Sequence, residues 1–73
     1  MNYLKDNYLK LEDMKFGQLY RGIGRNFNYG SWNGEGFLGD RSKFGEVFED
    51  LEYHYDSDPK HGTFQPLEEV EDL

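Results

Sequence analysis

The sequence predicts a mainly β domain, a small antiparallel meander or open barrel, with room for one short N-terminal helix. Three observations predict it. Short runs of period-two patterning are separated by turn residues, an Asn33-Gly34 pair lies between two such runs, and aromatic side chains supply most of the core-forming material. The 73 residues include six Phe, six Tyr and Trp32 and no cysteine. Disulfides and thiolate metal sites are therefore excluded, and a core near the lower size limit for independent folding must rely on aromatic packing.

The elements follow in chain order. In residues 2–13, Leu4, Tyr8 and Leu11 recur at helical spacing, while Leu9 and Leu11 around Lys10 also fit a strand; the reading leans to a short helix. Residues 18–25 alternate Leu19, Arg21 and Ile23 with Tyr20, Gly22 and Gly24, a strand whose glycines allow close approach or a bulge. Asn33-Gly34 suits a two-residue type I′ hairpin, which would pair Trp32 with Glu35 and Tyr29 with Leu38. Residues 39–45 read as a connection. Residues 46–55 read as a strand with Val47, Leu51, Tyr53 and Tyr55 on one face and Phe48, Asp50, Glu52 and His54 on a wetter, acidic one.

Residues 56–62 are a loop by their Asp, Ser, Pro and Gly content, and Thr63-Phe64-Gln65 adds a last short strand. Strands at these intervals suggest a barrel of the Src-homology-3-like kind over residues 1–66, followed by an acidic tail, 67–73, that is either one helical turn or disordered.

Net charge is −7 and unevenly spread. Residues 1–45 hold seven Lys/Arg against five Asp/Glu, whereas residues 46–73 hold Lys60 alone against ten acids. Such a surface repels phosphate backbones, so direct nucleic-acid binding is not expected, and it attracts proteins with basic grooves. No apolar run is long enough to span a membrane, and Met1-Asn2-Tyr3-Leu4-Lys5-Asp6 lacks the basic and apolar regions of a signal peptide, so a cytoplasmic protein with no membrane partner is expected.

Three constellations carry candidate chemistry. The first, a protein-binding surface, comprises Glu46, Glu49, Asp50, Glu52, Asp56 and Asp58. On an extended strand alternate side chains lie about 6.6 Å apart, near the spacing of about 7 Å between phosphates, so such a row would imitate a nucleic-acid backbone. Ordinary solubility and protection of a strand edge explain the same acids. The second is an anionic-ligand or nucleotide site formed by Arg21, Arg25, Asn26, Lys43 and Trp32, with flexible backbone at Gly22 and Gly24. It lacks both the dinucleotide and the Walker glycine patterns, and its arginines have many acids of this chain to pair with.

The third is His54 and His61 with Asp56 and Asp58, residue types that suit zinc, manganese or iron, but no helix fixes their spacing and an acidic turn with incidental histidines accounts for them. No metal site and no cofactor are assigned. Catalysis is not expected either, because no cysteine is present and no serine or threonine lies in an activating motif. The nine aromatics from Phe27 to Phe64 fit core packing better than base stacking, which needs a basic groove beside it.

The arrangement Leu19-Tyr20-Arg21-Gly22, Arg25-Asn26, Gly30, Trp32, Phe37, Gly39, Arg41, Lys43-Phe44-Gly45, Glu52, His54, Asp56 and Gly62-Thr63 resembles small uncharacterised proteins of phages and bacteria. The resemblance covers about residues 10–66 and implies no established activity. It implies a phage-related origin, in which very small acidic proteins often inhibit host nucleic-acid-binding machinery from within the host cytoplasm. The sequence therefore leads to a non-enzymatic acidic protein-binding module, with an anionic-ligand module as the alternative. A homodimer remains open, since one half is basic and the other acidic.

Overall fold

A computed structural model describes residues 8–25, 27–48, 50–56 and 60–71. Five strands follow one another, β1 (Leu19–Gly24), β2 (Phe27–Trp32), β3 (Phe37–Ser42), β4 (Glu52–Tyr55) and β5 (Thr63–Val70). They join in chain order into one barrel. Neighbours run antiparallel except β4 and β5, where His54 and Tyr55 lie parallel to Thr63 and Phe64. The mainly β expectation holds. The barrel is closed rather than open because β5 is long enough to pair with both β4 and β1, which leaves no free sheet edge between them.

The acidic tail expected from residue 67 instead continues β5 to Val70, with Glu68 opposite Arg21, Glu69 opposite Tyr20 and Val70 opposite Leu19. Proline inside a strand normally stops pairing. Here Pro66 sits where the register shifts between Arg21 and Gly22, so its missing N–H falls at a bulge that leaves Leu67 as the extra residue. The Pro66 carbonyl is used on its other side, accepting the Leu9 N–H at 2.8 Å. Residues 72–73 of the tail lie outside the described residues.

The hairpin between β2 and β3 also differs from the two-residue turn. Trp32 pairs with Phe37, Ser31 with Leu38 and Tyr29 with Arg41. A type I′ turn needs positive φ at both central residues, and only Gly34 has it, at +99°. Asn33 uses its side chain instead, its Oδ1 accepting the N–H of Glu35 at 2.9 Å and of Gly36 at 2.7 Å. This Asx turn widens the loop to four residues. The register consequently moves by two at Trp32, so side chains keep their faces and the aromatic core survives the change.

Residues 39–42, read as connection, belong to β3, and the turn is confined to residues 43–45. The long strand expected over 46–55 is regular only at Glu52–Tyr55. Before it, the chain runs irregularly beside β3, held by Ser42 N–H to Glu46 O at 2.6 Å and Gly39 N–H to Leu51 O at 2.7 Å. Phe48, placed on the wet face by period two, turns inward against the core, while Val47 and Leu51 are exposed. Burying the larger ring recovers more apolar area than burying either aliphatic side chain, and the ladder breaks to permit it.

The barrel interior is aromatic. Tyr20, Phe27, Trp32, Phe37 and Phe64 are buried together. Phe64 stacks on Phe27 with ring centres 4.9 Å apart and meets Phe37 at 4.8 Å; Trp32 meets Phe37 at 4.9 Å. Leu9, Met14, Phe48, Tyr53 and Tyr55 pack around this cluster. In place of an N-terminal helix the described residues hold a one-turn 3₁₀ helix, Leu11–Asp13, and residues 1–7 lie outside them. Backbone competition explains the difference: Leu9 is drawn into bonds to Pro66 O and from the Tyr55 hydroxyl, at 2.8 and 2.9 Å, which a continuous helix would not permit. The Tyr20 hydroxyl fastens the same segment by accepting the Lys15 N–H at 2.8 Å.

Candidate functional site

Three of the five large apolar side chains exposed among the described residues, Phe44, Val47 and Leu51, lie along residues 42–53. This segment starts from Ser42 at the end of β3, whose Oγ accepts the N–H of Phe44 and of Glu46, each at 3.0 Å. This compact turn projects the Phe44 ring into solvent, where it is 79% exposed. Phe48 then anchors the segment to the core, so Val47 and Leu51 are left 56% and 41% exposed. Ser42, Phe44, Glu46, Phe48, Leu51 and Tyr53 line a groove of about 350 Å³ on this face.

The same segment carries charge. Glu46, Asp50 and Glu52 are exposed, and Lys43, whose ammonium sits 5.3 Å from the Phe44 ring centre, is the one cation among the described residues of this segment. Glu52 is oriented by Asn33, whose Nδ2 donates to its Oε2 at 2.6 Å. An apolar groove with carboxylates on the same segment can take a partner whose lysines or arginines flank an apolar patch. The carboxylates give orientation and encounter rate, and the apolar contacts give lifetime.

The acids named from sequence thus divide. Glu46 lines the groove, Asp50 is exposed on the same segment and Glu52 is exposed at the start of β4, turned towards the β2–β3 hairpin, but the evenly spaced row that would imitate phosphates is not formed, because residues 46–51 are not a strand. Asp56 lies beyond β4 and holds Lys60 at 3.2 Å. Farther along, Glu69 pairs with Lys15 at 2.9 Å and Glu68 with Arg21, so the end of the acidic half is partly neutralised by the chain itself. Hydrogen bonding to Glu69 and its charge raise the Lys15 ammonium above its usual range. Glu49 and Asp58 lie outside the described residues.

The alternative set does not converge. Arg21 is engaged with Glu68 on the barrel wall, Trp32 is 8% exposed within the aromatic cluster, Lys43 belongs to the 42–53 face, and Asn26 lies outside the described residues. Arg25 instead lines a separate recess with Lys60 and His61. His54 is exposed on β4 and His61 on the following turn, and among the described residues no three His, Cys, Asp or Glu side chains come together as a metal site. No helix of the described residues is long and apolar enough to cross a membrane.

Sequence reasoning missed Phe44, Val47 and Leu51 as surface residues. The signal was present as apolar residues at 44, 47 and 51 interleaved with acids, where Phe44 falls out of phase with the period-two face of Val47 and Leu51. No family model matches the chain, and no curated protein or solved structure matches it.

Proposed function

We propose that this protein is a non-catalytic binding module whose 42–53 face docks onto a basic, partly apolar protein surface. The observation that carries the reading is the coexistence of three large exposed apolar side chains, Phe44, Val47 and Leu51, with the exposed carboxylates Glu46, Asp50 and Glu52. Isolated exposed apolar residues need no explanation, but Phe44 and Leu51 line one groove and Val47 lies exposed on the same segment, a grouping that fits a contact surface. The charge of residues 46–73 selects the partner's sign.

Proteins that bind nucleic acid carry such basic surfaces, and an acidic module seated there would exclude the nucleic acid by charge and by volume. With the likeness to small phage proteins, the partner class is a host nucleic-acid-binding protein, such as a defence nuclease, acted on in the host cytoplasm. The reading uses apolar contact with flanking charge rather than mimicry of phosphate spacing.

The test compares wild type with Phe44→Ser/Leu51→Ser and with Glu46→Lys/Asp50→Lys/Glu52→Lys. Proteins retained by immobilised wild type from a bacterial lysate are identified, purified and titrated against all three. A purified partner should bind wild type, lose affinity roughly a hundredfold with either variant, and be displaced by its own nucleic acid. Equal affinity across the three proteins would overturn the assignment of this face.

A further inference from the structure

The fold brings two cations of this acidic protein to one place. Residues 46–73 contain a single Lys or Arg, Lys60, and the fold brings it to the same recess as Arg25, which directly follows β1 in the basic half. Together with His61, Ile23 and Gly24 they line a recess of about 250 Å³. Fifteen acids are available to eight bases, so a structure governed only by its own charges would distribute acids around each base. Arg25 has no acidic partner among the described residues, and Lys60 spends one of its three N–H donors on Asp56, at 3.2 Å. The residues that carry a guanidinium, an ammonium and an imidazole thus line one recess.

We infer that this recess is a binding site for a small phosphate-bearing molecule, held by Arg25 and Lys60 with His61 as the third polar wall. A guanidinium matches two oxygens of a phosphate at once, and an ammonium supplies a point charge to the third. Ile23 gives one apolar wall, enough for a small organic group beside the phosphate but not for the extended burial of a long ligand. The site is separate from the 42–53 face and shares no residue with its groove.

The experiment is a titration of the ¹⁵N-labelled protein with inorganic phosphate, followed by amide chemical shifts, in parallel with sodium chloride at matched ionic strength, with acetate and with adenosine monophosphate. Phosphate should shift the amides of Ile23, Gly24, Arg25 and His61 in a saturable way that chloride does not reproduce. Affinity should fall about tenfold in Arg25→Ala and in Lys60→Ala, each of which removes one charge-assisted contact. Both side chains are exposed, so unchanged amide positions elsewhere will show that these variants fold. Tighter binding of the nucleotide than of phosphate would extend the ligand to a nucleoside. Equal response to acetate would make the site a general oxyanion site and overturn its selectivity for phosphate. Identical shifts with chloride, or shifts that survive both substitutions, would overturn the site itself, and neither result bears on the 42–53 face.

Discussion

Gly22 on β1 passes so close to Gln65 and Pro66 on β5 that a Cβ built on it would lie 2.8 Å from the Pro66 Cα and closer still to the Gln65 carbonyl oxygen. These neighbours are backbone atoms of the strand that closes the barrel, so they cannot rotate away. Gly22→Ala should destabilise the fold by about 2–3 kcal/mol or prevent closure, measured as a lower denaturation midpoint. A midpoint equal to that of wild type would show that the β1–β5 approach is looser than described.

Phe64 is the ring that joins the two halves of the core, stacked on Phe27 and tilted against Phe37. Phe64→Leu keeps an apolar side chain but removes both ring contacts, and a cost of about 1–2 kcal/mol is expected. Phe16→Ser should cost less than about 0.5 kcal/mol, because that ring is 82% exposed. Thermal melts of the two variants side by side check the ranking, and an equal loss in both would contradict the core assignment.

What the sequence made legible was whatever depends on local pattern. The β1 strand, the close approach at Gly22 and the aromatic core follow from alternation and composition. The Asn33 turn was located but mistyped, because a side-chain acceptor competed with the backbone geometry that Asn-Gly usually favours. The extension of β5 through Pro66 was hidden, since a bulge that excuses a proline is a property of the partner strand. For the candidate face, the acids Glu46, Asp50 and Glu52 were readable, whereas Phe44, Val47 and Leu51 emerged only once Phe48 took the inward position. Lys60 and His61 joined Arg25 across 35 residues of sequence, a distance that no local pattern bridges.

Ser42 links the barrel to the exposed strip, since one buried hydroxyl oxygen receives two backbone N–H groups. Ser42→Ala leaves both donors without that acceptor. Stability should fall by about 1–2 kcal/mol, and partner affinity should fall more than in a surface variant of equal stability because Phe44 is no longer fixed. Amide exchange at Phe44 and Glu46 measures the first effect locally. Slow exchange there in the variant would mean that the turn is held by other contacts.

Tyr55 gives the fold an alkaline limit that can be isolated. Its hydroxyl donates to the Leu9 carbonyl at 2.9 Å, and burial, with a smaller contribution from Tyr8, raises its ionisation above the usual 10.0, while the Leu11 backbone acts in the opposite direction. A raised pKa means that the unfolded chain releases this proton first as pH increases. Its contribution to stability is therefore complete below pH 10.0 and is lost as pH rises through the folded value. Tyr55→Phe removes both the hydrogen bond and the ionisation. Near neutral pH the variant should be less stable than wild type by about 1 kcal/mol, and the gap should narrow above pH 10 because only the wild type has this proton to lose. Urea unfolding at a series of pH values measures the difference directly, with the other tyrosines and the lysines common to both proteins. A gap that stays constant across that range would show that Tyr55 ionises as it does in the unfolded chain and that the Leu9 segment does not shield it.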